Sequence, residues 1–276
     1  MGEERIQKVL ASHGIGSRRQ VEDWIREGRI QVNGQPATIG QTVKRSDRIR
    51  VDGRDVSREL SVRQSLRVIV YHKPGGEMLR QRGGDDRASV VSRLPSLRAG
   101  RWVPVNALGF DEGGLLILTN EGSLATQLAR HGHAMPVEYR VRVLQPRGGE
   151  SWPELAKSVR IDGKDVVFSA VERLESAATN TWFRIAAERT IPRGAIRALF
   201  DDAGLKISRI LLVRWGPVGL ARDLPRSRSR DLEGAELDEL LSLAGRTKRS
   251  ATPKPSAGKV RRGARATGRK RKPIAR

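Results

Sequence analysis

The sequence predicts an α+β fold: a small N-terminal module of two helices and a short sheet, then a larger domain built on a largely antiparallel mixed sheet. Three observations lead there. Stretches with strand alternation outnumber those with helical spacing, and the two kinds do not alternate regularly, which argues against a doubly wound parallel sheet. Turn and helix-stop signals cluster around Gly28, Asn33-Gly34 and Gly53, closing off a compact first unit. The stretch 246–276 has neither aromatic residues nor apolar periodicity, so it reads as a disordered basic tail. The boundaries that follow are 1–53, a linker at 54–65, a second domain at 66–245 and the tail at 246–276.

Within the first unit, "ERIQKVLASHG" places Ile6, Val9 and Leu10 on one helical face, and Gly14 ends that helix. "GIGSRRQVEDWIREG" starts a second helix. Ser17 is its N-cap, Gln20 stands at the capping-box position, and Val21, Trp24 and Ile25 form the buried face. "RIQVNGQPA" and "DRIRVDG" read as strands. In the second domain, "LRVIVYHKPGG", "RWVPVNAL", "GGLLILTN", "VEYRVRVLQ", "KDVVFSAVERL", "TWFRIAAE" and "LKISRILLVRWGPV" read as strands. "EGSLATQLAR", "PRGAIRALFDDAG" and "GAELDELLSLAG" read as helices, with short helices in "GGDDRASVVSRLPSL" and "SWPELAKSV".

Composition narrows the chemistry. The chain has no cysteine, which removes disulfides, thiolate nucleophiles and thiolate-ligated metals. No apolar run is long enough for a membrane span and no signal peptide opens the chain, so a cytoplasmic location is expected. His13, His72, His131 and His133 are the only histidines, and no carboxylate cluster accompanies them, so no metal site is expected. "GGEMLRQRGGDD" lacks the Gly-Lys-Ser/Thr of a phosphate loop, and Asp85-Asp86 reads as a turn. The formal net charge is +22; thirteen of those positive charges lie in 246–276, which leaves +9 on the first 245 residues. A basic body with a basic tail points to a polyanion, above all nucleic acid.

The stretch "RIQKVLASHGIGSRRQVEDWIREGRIQVNGQ" resembles the alpha-L motif, a small RNA-binding domain named after a ribosomal protein. Ser17, Arg18 and Arg19 stand at a helix N-terminus, where backbone N–H groups and guanidinium groups meet a phosphate together. Two arginines there oppose the helix dipole, a conflict an anionic ligand relieves. Lys8, Arg26 and Arg29 extend that surface.

The second domain resembles the bacterial ribosomal RNA pseudouridine synthases of the RsuA/RluB group. The pieces that carry the resemblance come in order: "VIVYHKPGG", "VPVNALGFDEGGLLILTNEGSLA", "VEYRVRV" and "AIRALFDDAGLKISRILLVRWGPV". The resemblance implies cofactor-free isomerisation of a uridine extracted from its stack, by one carboxylate at the sugar–base junction. In the family that Asp ends a Gly-Arg-Leu-Asp run. Counting back without gaps from Gly114-Leu115-Leu116, the four positions are Asn106, Ala107, Leu108 and Gly109. The Asp position is therefore Gly109 and the Arg position Ala107; Leu108 alone is kept. Tyr139 matches the Tyr that packs on the base, although Val137 replaces a frequent Lys. Arg197 matches the Arg that pairs with the catalytic Asp, although Gly194 and Ala198 replace further basic residues.

Asp111 lies two residues further along the same loop, at about 3.3 Å per residue, and a displacement of about 1 Å can cost about 100-fold in rate. The reading that results is a ribosomal RNA-binding family member, monomeric, without cofactor, that does not isomerise uridine and serves in ribosome assembly. The alternatives are an active synthase that uses Asp111 or another carboxylate such as Glu112, and a basic RNA chaperone that binds by charge alone.

Overall fold

A computed structural model of the chain describes residues 3–61, 65–79, 88–144, 152–177 and 180–246. The tail expected as disordered lies outside the described residues except for Arg246, as does the Asp85-Asp86 turn.

The N-terminal unit runs β1 (Glu4–Arg5), α1 (Ile6–Ser12), α2 (Arg18–Arg26), β2 (Ile30–Val32), β3 (Gln35–Pro36), β4 (Thr42–Val43), β5 (Ile49–Val51), β6 (Arg54–Asp55) and α3 (Ser57–Ser61). The β3-β2-β5-β6 sheet and the two helices enclose a core of Ile6, Leu10, Val21, Ile30 and Ile49, all buried. Each such side chain contributes about 1.5–3 kcal/mol by leaving water. The reciprocal capping box of α2 is present: Ser17 Oγ accepts from the Gln20 amide and the Ser17 amide donates to Gln20 Oε1, both at 3.2 Å. Val9 and Trp24, expected on the buried faces, are only partly covered. The stretch expected as linker differs most. Residues 54–61 form β6 and α3, and Val56 is buried in this small core at 3% exposure. Val56 and the partly covered Leu60 stand four apart among charged residues, too little apolar periodicity to signal a helix.

The second domain runs β7 (Val68–Lys73), a 3₁₀ turn at Val90–Arg93, β8 (Val103–Pro104), β9 (Glu112–Thr119), α4 (Gly122–Gly132), β10 (Val137–Leu144), β11 (Ser158–Ile161), β12 (Lys164–Val167), β13 (Ala170–Ala177), β14 (Asn180–Ala187), α5 (Ala195–Asp201), β15 (Ile207–Trp215), β16 (Val218–Gly219), β17 (Ser229–Asp231) and α6 (Gly234–Leu243). Its nine-stranded sheet has the order β13-β14-β10-β15-β9-β7-β17, with β16 on β15 and β8 on β9. Among these strands only the β15–β9 pairing is parallel, so the sheet is mixed and largely antiparallel. The parallel pair is the centre of the fold. There Gly114 has φ +102°, and a Cβ on it would lie 2.1 Å from the Leu212 carbonyl oxygen. Only glycine lets these two backbones approach so closely.

Two cores pack on the sheet, one with α4 and α6 and the other with α5; along β10 they share a face and meet at Tyr139. Two expectations needed tertiary context. "KDVVFSAVERL" is two strands, because β12 closes a hairpin with β11 before β13 joins the large sheet. "SWPELAKSV" is not helical: residues 152–156 form no regular element, and Trp152 and Leu155 pack onto the core of Phe183 and Phe200 instead. Among the described residues no helix is long and apolar enough to cross a membrane.

Candidate functional site

The loop between β8 and β9 hangs on one buried cation. Lys73, at the end of β7, is fully buried, and its ammonium donates to the carbonyl oxygens of Pro74 (3.1 Å), Gly109 (3.0 Å), Phe110 (3.2 Å) and Glu112 (2.7 Å). Burial pushes its pKa down, while the negative fields of Glu77, Glu112 and Asp111 oppose that shift. The loop is thus clamped by satisfied hydrogen bonds rather than left mobile. A lysine closing the otherwise apolar strand "VIVYHK" is the sequence signal for this clamp, and sequence reasoning gave it no site role.

The clamp decides where the loop's side chains go. Gly109 stands beside Glu112, whose Oε2 accepts a hydrogen bond from the Gly109 amide at 2.6 Å. A Cβ built on Gly109 would lie 3.2 Å from that same oxygen. Glu112 therefore presents its carboxylate at the space a side chain on residue 109 would enter. It also lines a cavity of about 240 Å³ together with Asn106, Ala107, Tyr139, Arg197 and Trp215. Tyr139 projects from β10 into this cavity, and burial, then the nearby Glu112 charge, push its phenol well above the usual tyrosine range. Asp111 points elsewhere. Its carboxylate is 69% exposed and meets the Arg197 guanidinium at 3.5 Å on the outer rim. Leu108 is buried in the core, and Asn106 uses its amide on the backbone of Leu115 (2.9 Å) and Ile117 (2.8 Å), tying the loop to β9. The pocket thus brings together Tyr139, Arg197 and Glu112, with Gly109 beside the Glu112 carboxylate, and leaves Asp111 outside its lining.

The N-terminal cations divide in two. Lys8 pairs with Glu4, Arg26 with Asp23 at 2.6 Å, and Arg29 with Asp52 (2.7 Å) and Glu27 (3.0 Å) while lying over the Trp24 ring. Arg18 and Arg19 stand exposed in the first turn of α2, with no ion pair among the described residues, and the Ser17 hydroxyl is engaged in the cap. The two units touch where the Gly100 amide donates to the His13 carbonyl at 2.8 Å. Among the described residues no group of three or more His, Asp or Glu side chains could hold a metal ion.

Known proteins match both units. Residues 4–49 match the S4 domain family. The chain is 37% identical over 243 residues to the ribosomal large subunit pseudouridine synthase B of Pseudomonas aeruginosa, covering 88% of this chain and 63% of that protein. The proteins of the same name from Xanthomonas campestris and Salmonella typhi are 35% and 34% identical, with 49% and 83% of their lengths covered. The chain therefore spans between about half and four-fifths of these relatives. A crystal structure of a pseudouridylate synthase aligns over 86% of this chain and 99% of its own, with a TM-score of 0.50 at 18% identity, and supports the fold. With an S4 domain joined to a pseudouridine-synthase fold, and a relative at 34% identity matched over most of both chains, this chain belongs to the ribosomal large subunit pseudouridine synthase B family.

Proposed function

We propose that this chain binds ribosomal RNA, takes an unstacked base into the Tyr139 cavity and does not isomerise it. The observation that carries this reading is Gly109: the position that holds the family's catalytic Asp has no side chain, and its amide is occupied by Glu112. Nucleophilic catalysis needs a carboxylate held within hydrogen-bond range of the reacting atom, and position 109 supplies none. The S4 match, the exposed Arg18 and Arg19 and the +22 charge support the RNA partner. A role in ribosome assembly in the cytoplasm agrees with these features, with no cofactor required.

A second reading has one specific observation behind it. Glu112 is a carboxylate inside the cavity, beside the phenol of Tyr139 and next to position 109. In an active enzyme it, rather than rim-exposed Asp111, would be the reacting group. Both readings meet one experiment: purified full-length protein incubated with large-subunit ribosomal RNA fragments, with pseudouridine detected by chemical labelling and primer extension. Tight RNA binding without product supports the first reading. Product that disappears in Glu112→Gln while RNA affinity persists establishes the second, and product that survives in that variant removes Glu112.

A further inference from the structure

The face of the large sheet opposite the Tyr139 cavity carries a row of groups that the reading above leaves unused. Along β10, β14 and β15, alternation sends Val141, Phe183 and Ile210 into the core. The intervening residues point the other way. The strand register then sets three of them abreast: Arg142 pairs with Trp182 of β14 on one side and with Arg209 of β15 on the other. With strands about 4.8 Å apart, the row spans about 10 Å.

This arrangement works against stability. Like charges directly opposite each other across strands repel, and Arg142 and Arg209 stand so. Arg226, on the segment that leads into β17, brings a third positive charge: burial first, then the charges of Arg226 and Arg142, push the Arg209 pKa down. The carboxylates of this face are already engaged by other arginines. Arg184 holds Glu138 at 3.1 Å and Glu172 at 3.2 Å, and Arg230 holds Glu236 at 2.7 Å. Arg142 donates to the Ser208 hydroxyl, at 2.8 Å, and among the described residues neither Arg209 nor Arg226 has an ion pair. Beside the row lies a broad open groove in which Trp182 is joined by Leu211, Val213 and Arg140. Uncompensated guanidinium groups next to a half-buried indole on an open sheet are the ingredients of a single-strand RNA platform: phosphates meet arginines, and bases stack on the ring.

We propose that Arg142, Arg209 and Trp182, with Arg226 at their edge, bind a single strand of RNA on the side of the sheet away from the base cavity. The site rests on RNA being the partner, and would let the protein hold a strand flanking the helix engaged by the S4 domain. The test uses the full chain and a fluorescein-labelled twelve-nucleotide single-stranded RNA, read by anisotropy across a salt series. Arg142→Gln/Arg209→Gln should weaken binding about tenfold near physiological salt and lower the salt slope by about 1.4, at about 0.7 for each phosphate no longer neutralised. Trp182→Ala should also weaken binding about tenfold, and 4-thiouridine in the RNA should crosslink to the peptide that contains Trp182. Because the double arginine variant removes repulsion, it should melt at or above the wild-type temperature. A lower melting temperature with unchanged affinity would assign the row a structural role and overturn the proposal. So would loss of affinity confined to Arg18→Glu/Arg19→Glu, which would leave the S4 reading standing. If no variant, including that one, alters affinity, the RNA reading itself fails. Self-association that Trp182→Ala abolishes would give the face to a second copy of the chain, also against the proposal.

Discussion

The start of α2 and the β8–β9 loop both present polar groups, and they differ in how those groups are satisfied. At α2 the guanidinium groups of Arg18 and Arg19 end in solvent, at a helix terminus that repels them. In the loop almost every polar group already has a partner within the protein: Lys73 with four carbonyls, the Gly109 amide with Glu112, Asn106 with β9, Arg197 with Asp111. A region that keeps unpaired charge is arranged for a ligand. A region that satisfies itself is arranged to hold a shape. Here the loop holds its shape with a glycine at position 109 and the Glu112 carboxylate on that residue's amide.

The sharpest way to break this comparison is Lys73→Met. It removes the donor shared by the Pro74, Gly109 and Glu112 carbonyls, while the Phe110 carbonyl keeps the Gly76 amide at 2.8 Å, and it puts an apolar group in place of a buried cation. It should cost about 3–5 kcal/mol in chemical denaturation. A loss below about 1 kcal/mol would mean the loop does not depend on the clamp. Next comes Arg18→Glu/Arg19→Glu. If each arginine meets one phosphate, ribosomal RNA affinity should fall about 30-fold near physiological salt, and the salt slope by nearly 2. Stability should stay unchanged or rise slightly, because acidic residues suit a helix N-terminus. Unchanged affinity would remove the contrast between the two regions.

The smallest effect concerns the two tyrosines, Tyr71 and Tyr139, the only ones in the chain. Burial holds both phenols above the usual range; Tyr71 also donates to Glu77 at 2.8 Å, and Tyr139 feels Glu112. The folded protein should therefore show little tyrosinate absorbance at 295 nm up to about pH 11, past the ordinary value near 10. The sign follows from linkage. Above about pH 10 the unfolded chain loses phenolic protons that the folded chain keeps, so stability falls as pH rises. Tyr139→Phe should shallow that fall. A normal titration near pH 10 in the folded protein would show that the cavity is wet and open.

Much of the framework was legible in residues alone. The capping box at Ser17 and Gln20, the amphipathic faces of α1 and α2, and the alternation of β10 and β14 depend on neighbours a few positions away. Local spacing carries such information in full. The same holds for Gly109: the absence of a side chain is a property of the sequence, read by counting from Gly114-Leu115-Leu116. Less legible were β6 and α3, where one buried residue, Val56, anchors a charged stretch, and the segment around Trp152, where packing replaced the expected helix.

What only the tertiary structure decided was direction and juxtaposition. Sequence ranked Asp111 and Glu112 together as loop acids. The Lys73 clamp and the start of β9 at Glu112 turned one carboxylate into the cavity and left the other at the rim with Arg197. Likewise Arg142, Trp182 and Arg209 are scattered along the chain, and became a row because the β10 register, shifted by irregularities against β15, set them opposite one another. A one-residue slip would send each to the other face. Which residues a chain carries is written locally, but which of them meet depends on strand register and on close backbone contacts such as Gly114 against Leu212, which form only when distant segments pack.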